Sequence, residues 1–494
     1  MIIQVLEALL AEADPHSTLL KSIRNQISTS DAELVEGIVV LESKLAKATP
    51  DAEEADDVTK YYNPFTLDET ETLLPQISIQ YLISTLAPSD YSPGKFIIGS
   101  PSYLETVSSV LQDTSVEILQ AYFVWKTVQT FAYKIEDDVL KPLLRFNNEL
   151  QGKDSDASEE RWRTCIKVAD NGLGWILSKF FVEKAFSEEA KQFGDRIIYD
   201  IKDQFIKKLK GADWMSKDVR KLGIEKVHNI IQKIGYPTKS PDIRDSSALN
   251  YYYQDVNISS TTFFKNALSI AKFDVKQEWS ALGKPTNRDE WGMTADTVNA
   301  YYNPAGNEIV FPAGIMQNPV FYDPSVPQYL SYGAFGSVSG HELSHAFDST
   351  GRHYDETGNF TDWWNNKTVE AFKDKAECFV DQYHDFTVPN PTGEPLHING
   401  RLTLGENIAD AGGVNAAFAA WKERDEKAPE QLLPGLQHFS KEQMFFISYS
   451  NWWCGKMRPE TAVNLVYRDP HSPGWARILV SLMYSAPYIK SNHH

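Results

Sequence analysis

One short stretch constrains this chain more than any other: His341-Glu342-Leu343-Ser344-His345, set in the segment YGAFGSVSGHELSHAFD at 332–348. Histidines four apart share one face only if the backbone is helical, so the spacing predicts a helix here. Two neutral imidazole nitrogens on that face can grip one zinc ion, and Glu342, next to the first histidine, then lies beside the ion rather than on it. From there it can take a proton from a water that the ion activates, the role of a general base. The plainer reading is two surface histidines on an ordinary helix. A zinc peptidase also needs a third protein ligand and an open position, and the sequence offers Glu406 in LGENIADAGG at 404–413. Asp410 follows four residues later on the same helix face, where it can accept the other ring proton of a ligand histidine and fix its tautomer. A Glu and Asp so spaced also suit a solvated face, but the flanking small and apolar residues favour burial.

At roughly 150 residues per domain, 494 residues amount to about three domain equivalents. Lys plus Arg number 48 against 67 Asp plus Glu, a net charge of −19 that repels nucleic acid and argues against a polynucleotide partner. No apolar run reaches the 18 or so residues that span a bilayer. The opening MIIQVLEALLAEA carries Gln4 and Glu7 with no basic flank, so it reads as neither an anchor nor a signal peptide. Cys165, Cys378 and Cys454 form an odd set without metal-binding spacing, which suggests a reducing compartment. Three sequons, at Asn257, Asn359 and Asn366, point the other way.

Apolar residues at three and four spacing predict helices through 1–48, 102–150 and 160–235. The stretches 49–60, 87–102 and 151–160 read as connections. After Gly235-Tyr-Pro237 the texture changes to Asn, Pro, Gly, Tyr and Trp with short strand candidates such as 307–311, and a domain boundary is expected near 237.

Eight segments in order then resemble the neprilysin-like metallopeptidases: VNAYY at 298–302, NEIVFPAGIMQ at 307–317, GHELSHAFD at 340–348, DWW at 362–364, LGENIADAGG at 404–413, LLPGL at 432–436, WCG at 453–455 and HSPGWAR at 471–477. Weaker matches at Trp214-Met215, Glu225-Lys226 and Gly235-Tyr-Pro237 extend the resemblance into the helical half. It implies that His341, His345 and Glu406 bind one zinc ion per chain, that Glu342 is the base, and that Asp410 holds the first histidine. It further implies that His471 stabilises the oxyanion, that Arg477 anchors substrate carbonyl or carboxylate groups, and that Asn299 and Ala300 hold the peptide main chain as an added strand. The pocket after the scissile bond would include Ile315, Val338 and Trp453, giving cleavage on the amino side of large hydrophobic residues. Val320 stands where an aromatic is common in relatives, so the size of that pocket is open. Without the family, His471 reads as a loop histidine, Trp453 as a core aromatic and Arg477 as a surface cation.

The fold implied is mainly α with an α+β, thermolysin-like catalytic lobe: residues 1–236 form a helical lobe, 237–494 carry the catalytic domain, and the lobes enclose the site. Substrates would be peptides, and the family's location is extracellular or as a membrane-anchored ectodomain. Relatives are longer at both ends, which implies truncation here, with the disulfide partners of all three cysteines in the missing pieces. The competing expectation is a homologue that binds zinc but is catalytically silent.

Overall fold

Serine caps punctuate the helical half of the chain. The computed structural model describes residues 31–135 and 137–489. Of the helix expected over 1–48, Asp31–Ala48 forms α1, and residues 1–30 lie outside the described residues. Ser100 accepts the Tyr103 amide and Pro101 takes the first helical position of α2 (Pro101–Gln112); Ser115 likewise accepts the Ile118 amide at the head of α3 (Val116–Phe131). These hydroxyls satisfy amide donors that have no partner within the first turn. α1 and α3 bury Leu34, Ile38, Ala121 and Trp125 in one apolar cluster. The stretch 49–60, expected as a connection, instead carries two short helices, Ala52–Asp56 and Val58–Tyr61, each capped by an aspartate.

Packing divides the chain into two units, one made of residues up to Cys165 with Gln254–Lys284, the other of Ile166–Tyr253 and everything from Pro285 onward. The helices between Ile166 and 237 pack with the C-terminal half. Most of α4 (Arg161–Ala185) belongs to the second unit, together with α5 (Glu188–Lys210) and α6 (Lys217–Asn229). α5 has Glu188 and Glu189 in its first turn and Lys207, Lys208 and Lys210 in its last, which complements the helix dipole. Its apolar stripe of Phe193, Ile197, Ile198 and Ile201 is buried in the same cluster as Phe335, Val414 and Trp421.

A three-stranded sheet lies in this unit, ordered β1 (Ile231–Gly235), β3 (Glu308–Pro312), β2 (Tyr301–Asn303). β1 runs parallel to β3, with Ile231 opposite Glu308, and β2 runs antiparallel, with Tyr301 opposite Val310. The middle strand is buried throughout and β2 is an edge. Asn307, between β2 and β3, adopts φ 43°, a left-handed conformation that asparagine tolerates better than most residues.

A π-helical turn, Tyr332–Gly336, leads into α7 (Ser337–Ser344), and a 3-10 turn, His345–Phe347, follows it. Beyond lie α8 (Asn366–His384), α9 (Leu404–Lys427), α10 (Lys441–Trp452) and α11 (Gly474–Ile489). α7 and α9 touch backbone to backbone through glycines. A Cβ on Gly340 would stand 2.7 Å from the Gly413 Cα, and one on Gly413 would stand 2.4 Å from the His341 amide nitrogen. Glycine in a helix costs roughly 1 kcal/mol against alanine, and the return is this approach. The architecture is mainly helical, and among the described residues no helix is long and apolar enough to cross a membrane. Cys165, Cys378 and Cys454 are exposed free thiols.

Candidate active site

The glycine contact sets His341 on α7, and His345 just past its end, against the first two turns of α9. Among the described residues, His341, His345 and Glu406 are the one group of three or more side chains arranged to hold a metal ion. His341 Nε2 lies 3.1 Å from His345 Nε2 and 3.1 Å from Glu406 Oε2, and His345 Nε2 lies 3.6 Å from Glu406 Oε1. Ligands bound at about 2.0–2.1 Å in a tetrahedron sit about 3.3 Å apart, the same scale.

The tautomers decide whether a cation fits. Asp410 Oδ1 lies 3.0 Å from His341 Nδ1, and Asp348 Oδ2 lies 2.6 Å from His345 Nδ1. Each carboxylate accepts a proton from its Nδ1, so in the neutral rings both Nε2 atoms present lone pairs to each other and to Glu406. Glu406 Oε2 is buried and, among the described residues, makes no hydrogen bond of its own. Three inward-facing lone-pair donors suit a divalent metal. Burial works against the His341 imidazolium, but Asp410 and Glu406 raise it to about 10. Burial likewise works against the Glu406 carboxylate, yet His345, His341 and His471 hold it below the usual range.

Glu342 is buried on α7, and burial pushes its carboxyl up while His341 and His345 pull it down. His471 is half exposed; its Nε2 lies 3.2 Å from Glu406 Oε2 and its Nδ1 2.7 Å from Asp469 Oδ1. Arg477 is buried, paired to Asp410 by two bonds of 2.6 and 2.7 Å, and its guanidinium lies 3.7 Å from the centre of the Trp453 ring. Burial and Arg477 oppose each other at Asp410, and with His341 the outcome is about 2. Ile315 and Val338 are buried in the cluster on which Trp453 packs, and Val320 is buried there too. Asn299 is exposed and Ala300 buried immediately before the edge strand β2, which packs against α7.

Three residues here had no role read from the sequence: Asp348, Asp469 and Lys226, the last appearing only within the match Glu225-Lys226. Asp348 lies three residues after His345 and Asp469 two before His471, spacings at which a carboxylate can reach back to a histidine ring. That was the available signal for the first two.

The model of peptidase family M13 matches residues 299–486, and a second, N-terminal model of the same family matches 2–237. The chain belongs to peptidase family M13. This chain is 36% identical over 469 residues to the endothelin-converting enzyme homolog of Locusta migratoria, covering 93% of this chain and 62% of that protein. It is 37% identical over 454 residues to endothelin-converting enzyme 1 of Rattus norvegicus, covering 91% and 58%. The chain therefore spans about three fifths of the length of these relatives. A crystal structure of the zinc metalloprotease ZMP1 of Mycobacterium tuberculosis, in complex with an inhibitor, superposes with TM-score 0.83 at 28% identity, covering 96% of this chain and 71% of the other. The first M13 match ends at 237, so the family's sequence division and the division of this chain by packing fall at different places.

Proposed function

We propose that this M13 chain is a zinc-dependent metalloendopeptidase that cuts peptides on the amino side of large hydrophobic residues. The convergence of two imidazole lone pairs and one carboxylate, with Glu342 alongside, carries the reading. His341, His345 and Glu406 would hold one zinc ion, which when bound supplies Lewis-acid polarisation of a carbonyl and a water of lowered pKa.

The chain's own groups do the rest. Glu342 takes the proton of the attacking water and delivers it to the leaving amine. His471, steadied through Nδ1 by Asp469, supports the developing oxyanion from Nε2. Arg477, fixed by Asp410 and set over the Trp453 ring, receives a substrate carbonyl or carboxylate. Asn299 and Ala300, entering the edge strand, pair with the peptide backbone, and Ile315, Val338 and Trp453 form the apolar wall that selects the next side chain. An extracellular location, secreted or as a membrane-anchored ectodomain, goes with this reading.

The test is digestion of a peptide set by the purified, zinc-loaded chain, with mass-spectrometric mapping of the cuts. Cleavage ahead of Phe, Leu or Met is expected. Bound zinc with no hydrolysis of any peptide would leave the silent homologue as the better account, and cuts ahead of charged residues would overturn the pocket.

A further inference from the structure

Lys226, on α6, is fully buried, and among the described residues no carboxylate is paired to it. Its Nζ donates to three backbone carbonyls, Ala346 at 2.8 Å, Gly351 at 2.7 Å and Tyr354 at 2.6 Å. The rings of Tyr302, Phe347 and Trp363 stand 5.6 to 5.8 Å from it. Burial pushes the ammonium down to about 7, although Asp348, Asp355 and Glu356 pull the other way. An amine kept in such a place, where a charge is costly, is there for what it holds.

All three carbonyls belong to the turn that follows His345. The same turn is gripped from its other side by Asp348, whose Oδ1 accepts the amides of Thr350 and Gly351 at 2.8 and 2.6 Å while its Oδ2 faces His345 Nδ1. Gly351 sits so close that a Cβ there would be 1.8 Å from the His345 carbonyl oxygen. We infer that Lys226 is a positioning residue for the metal centre, fixing the turn 346–354 so that Asp348 aims the second histidine's Nε2 at the cation. The inference rests on the zinc reading of the site, and it goes beyond it by assigning part of the metal affinity to a helix that supplies no ligand.

Lys226→Met removes the three donors at nearly constant length. On folded protein, judged by circular dichroism, zinc affinity measured against a competing chelator should fall about ten- to a hundredfold, as for loss of a group that orients a metal ligand. The cobalt-substituted variant should show a changed visible spectrum. Asp348→Asn should weaken zinc as well, and the double variant should lose much less than the product of the two single losses. If Lys226→Met does not fold, Lys226→Gln, which keeps an amide donor, takes its place in the same measurements. A folded variant with parental zinc affinity and parental cobalt spectrum would overturn the inference, and so would strictly multiplicative losses with Asp348→Asn. A parent chain that fails to bind zinc would overturn the zinc reading itself.

Discussion

Glu342 is buried and Glu406 nearly so, both feel the charge of the two histidines, yet their proposed tasks differ, and substitution separates them. Glu342→Gln should keep its zinc, read by elemental analysis, and lose peptide hydrolysis by several orders of magnitude. Glu406→Gln should retain markedly less zinc through dialysis than the parent; equal content would remove it from the ligand set. His471→Ala should keep zinc and lose about a hundredfold or more in kcat, the scale for an oxyanion donor. The proposed ligands His341 and His345 could be paired from the sequence because helical spacing brings them together, and the structure sets Glu406 beside them. The groups that orient them are legible only in part. Asp348 and Asp469 bond rings two or three residues away, but Lys226 bonds carbonyls more than a hundred residues distant, and backbone acceptors leave no mark on a sequence.

At the scale of elements, the α7–α9 contact explains why Gly412 and Gly413 close the motif that begins with Leu404: a side chain on Gly412 would meet Ser344 Oγ at 2.3 Å, and one on Gly413 the backbone of α7. Gly413→Ala should cost about 1–3 kcal/mol of stability by denaturant melt and weaken zinc retention as the helices part. Gly94→Ala, where nothing lies within 4 Å, should do neither. A second expectation concerns α4, whose backbone leaves helical geometry at Leu173 (φ −133°, ψ 30°). Just before the kink, burial and the facing Asp296 raise the Asp170 carboxyl to about 6. Between about pH 4 and pH 6 the folded chain thus holds a proton that the unfolded chain has released, so this group lowers stability as pH rises through that window. Asp170→Asn should abolish that loss, and the variant's gain in urea midpoint over the parent should be larger at pH 7 than at pH 4.5.

For the whole molecule, the helices of the first half were legible from periodicity and the mainly helical class from the family resemblance, whereas the packing of the helices into compact units was not. The texture change at 237 is real in composition, but whether the stripe on α5 is buried against one half of the chain or the other is decided by partners that periodicity does not name. Two units with separate apolar cores should melt as two transitions by calorimetry, and a chelator should lower the transition of the unit that holds the metal cage. Equal shifts in both would mean that the units unfold together. The first unit is also discontinuous, which matters on the ribosome. It cannot close until Gln254–Lys284 has emerged, and by then α5 is already outside with only α6 and β1 to cover part of its apolar stripe. The partners that cover the rest, out to the C-terminal helices, need about 200 further residues of synthesis, roughly 10 to 40 s. For that interval the nascent chain carries an apolar helix whose later partners do not yet exist, the kind of surface that makes a folding intermediate prone to stick to its neighbours.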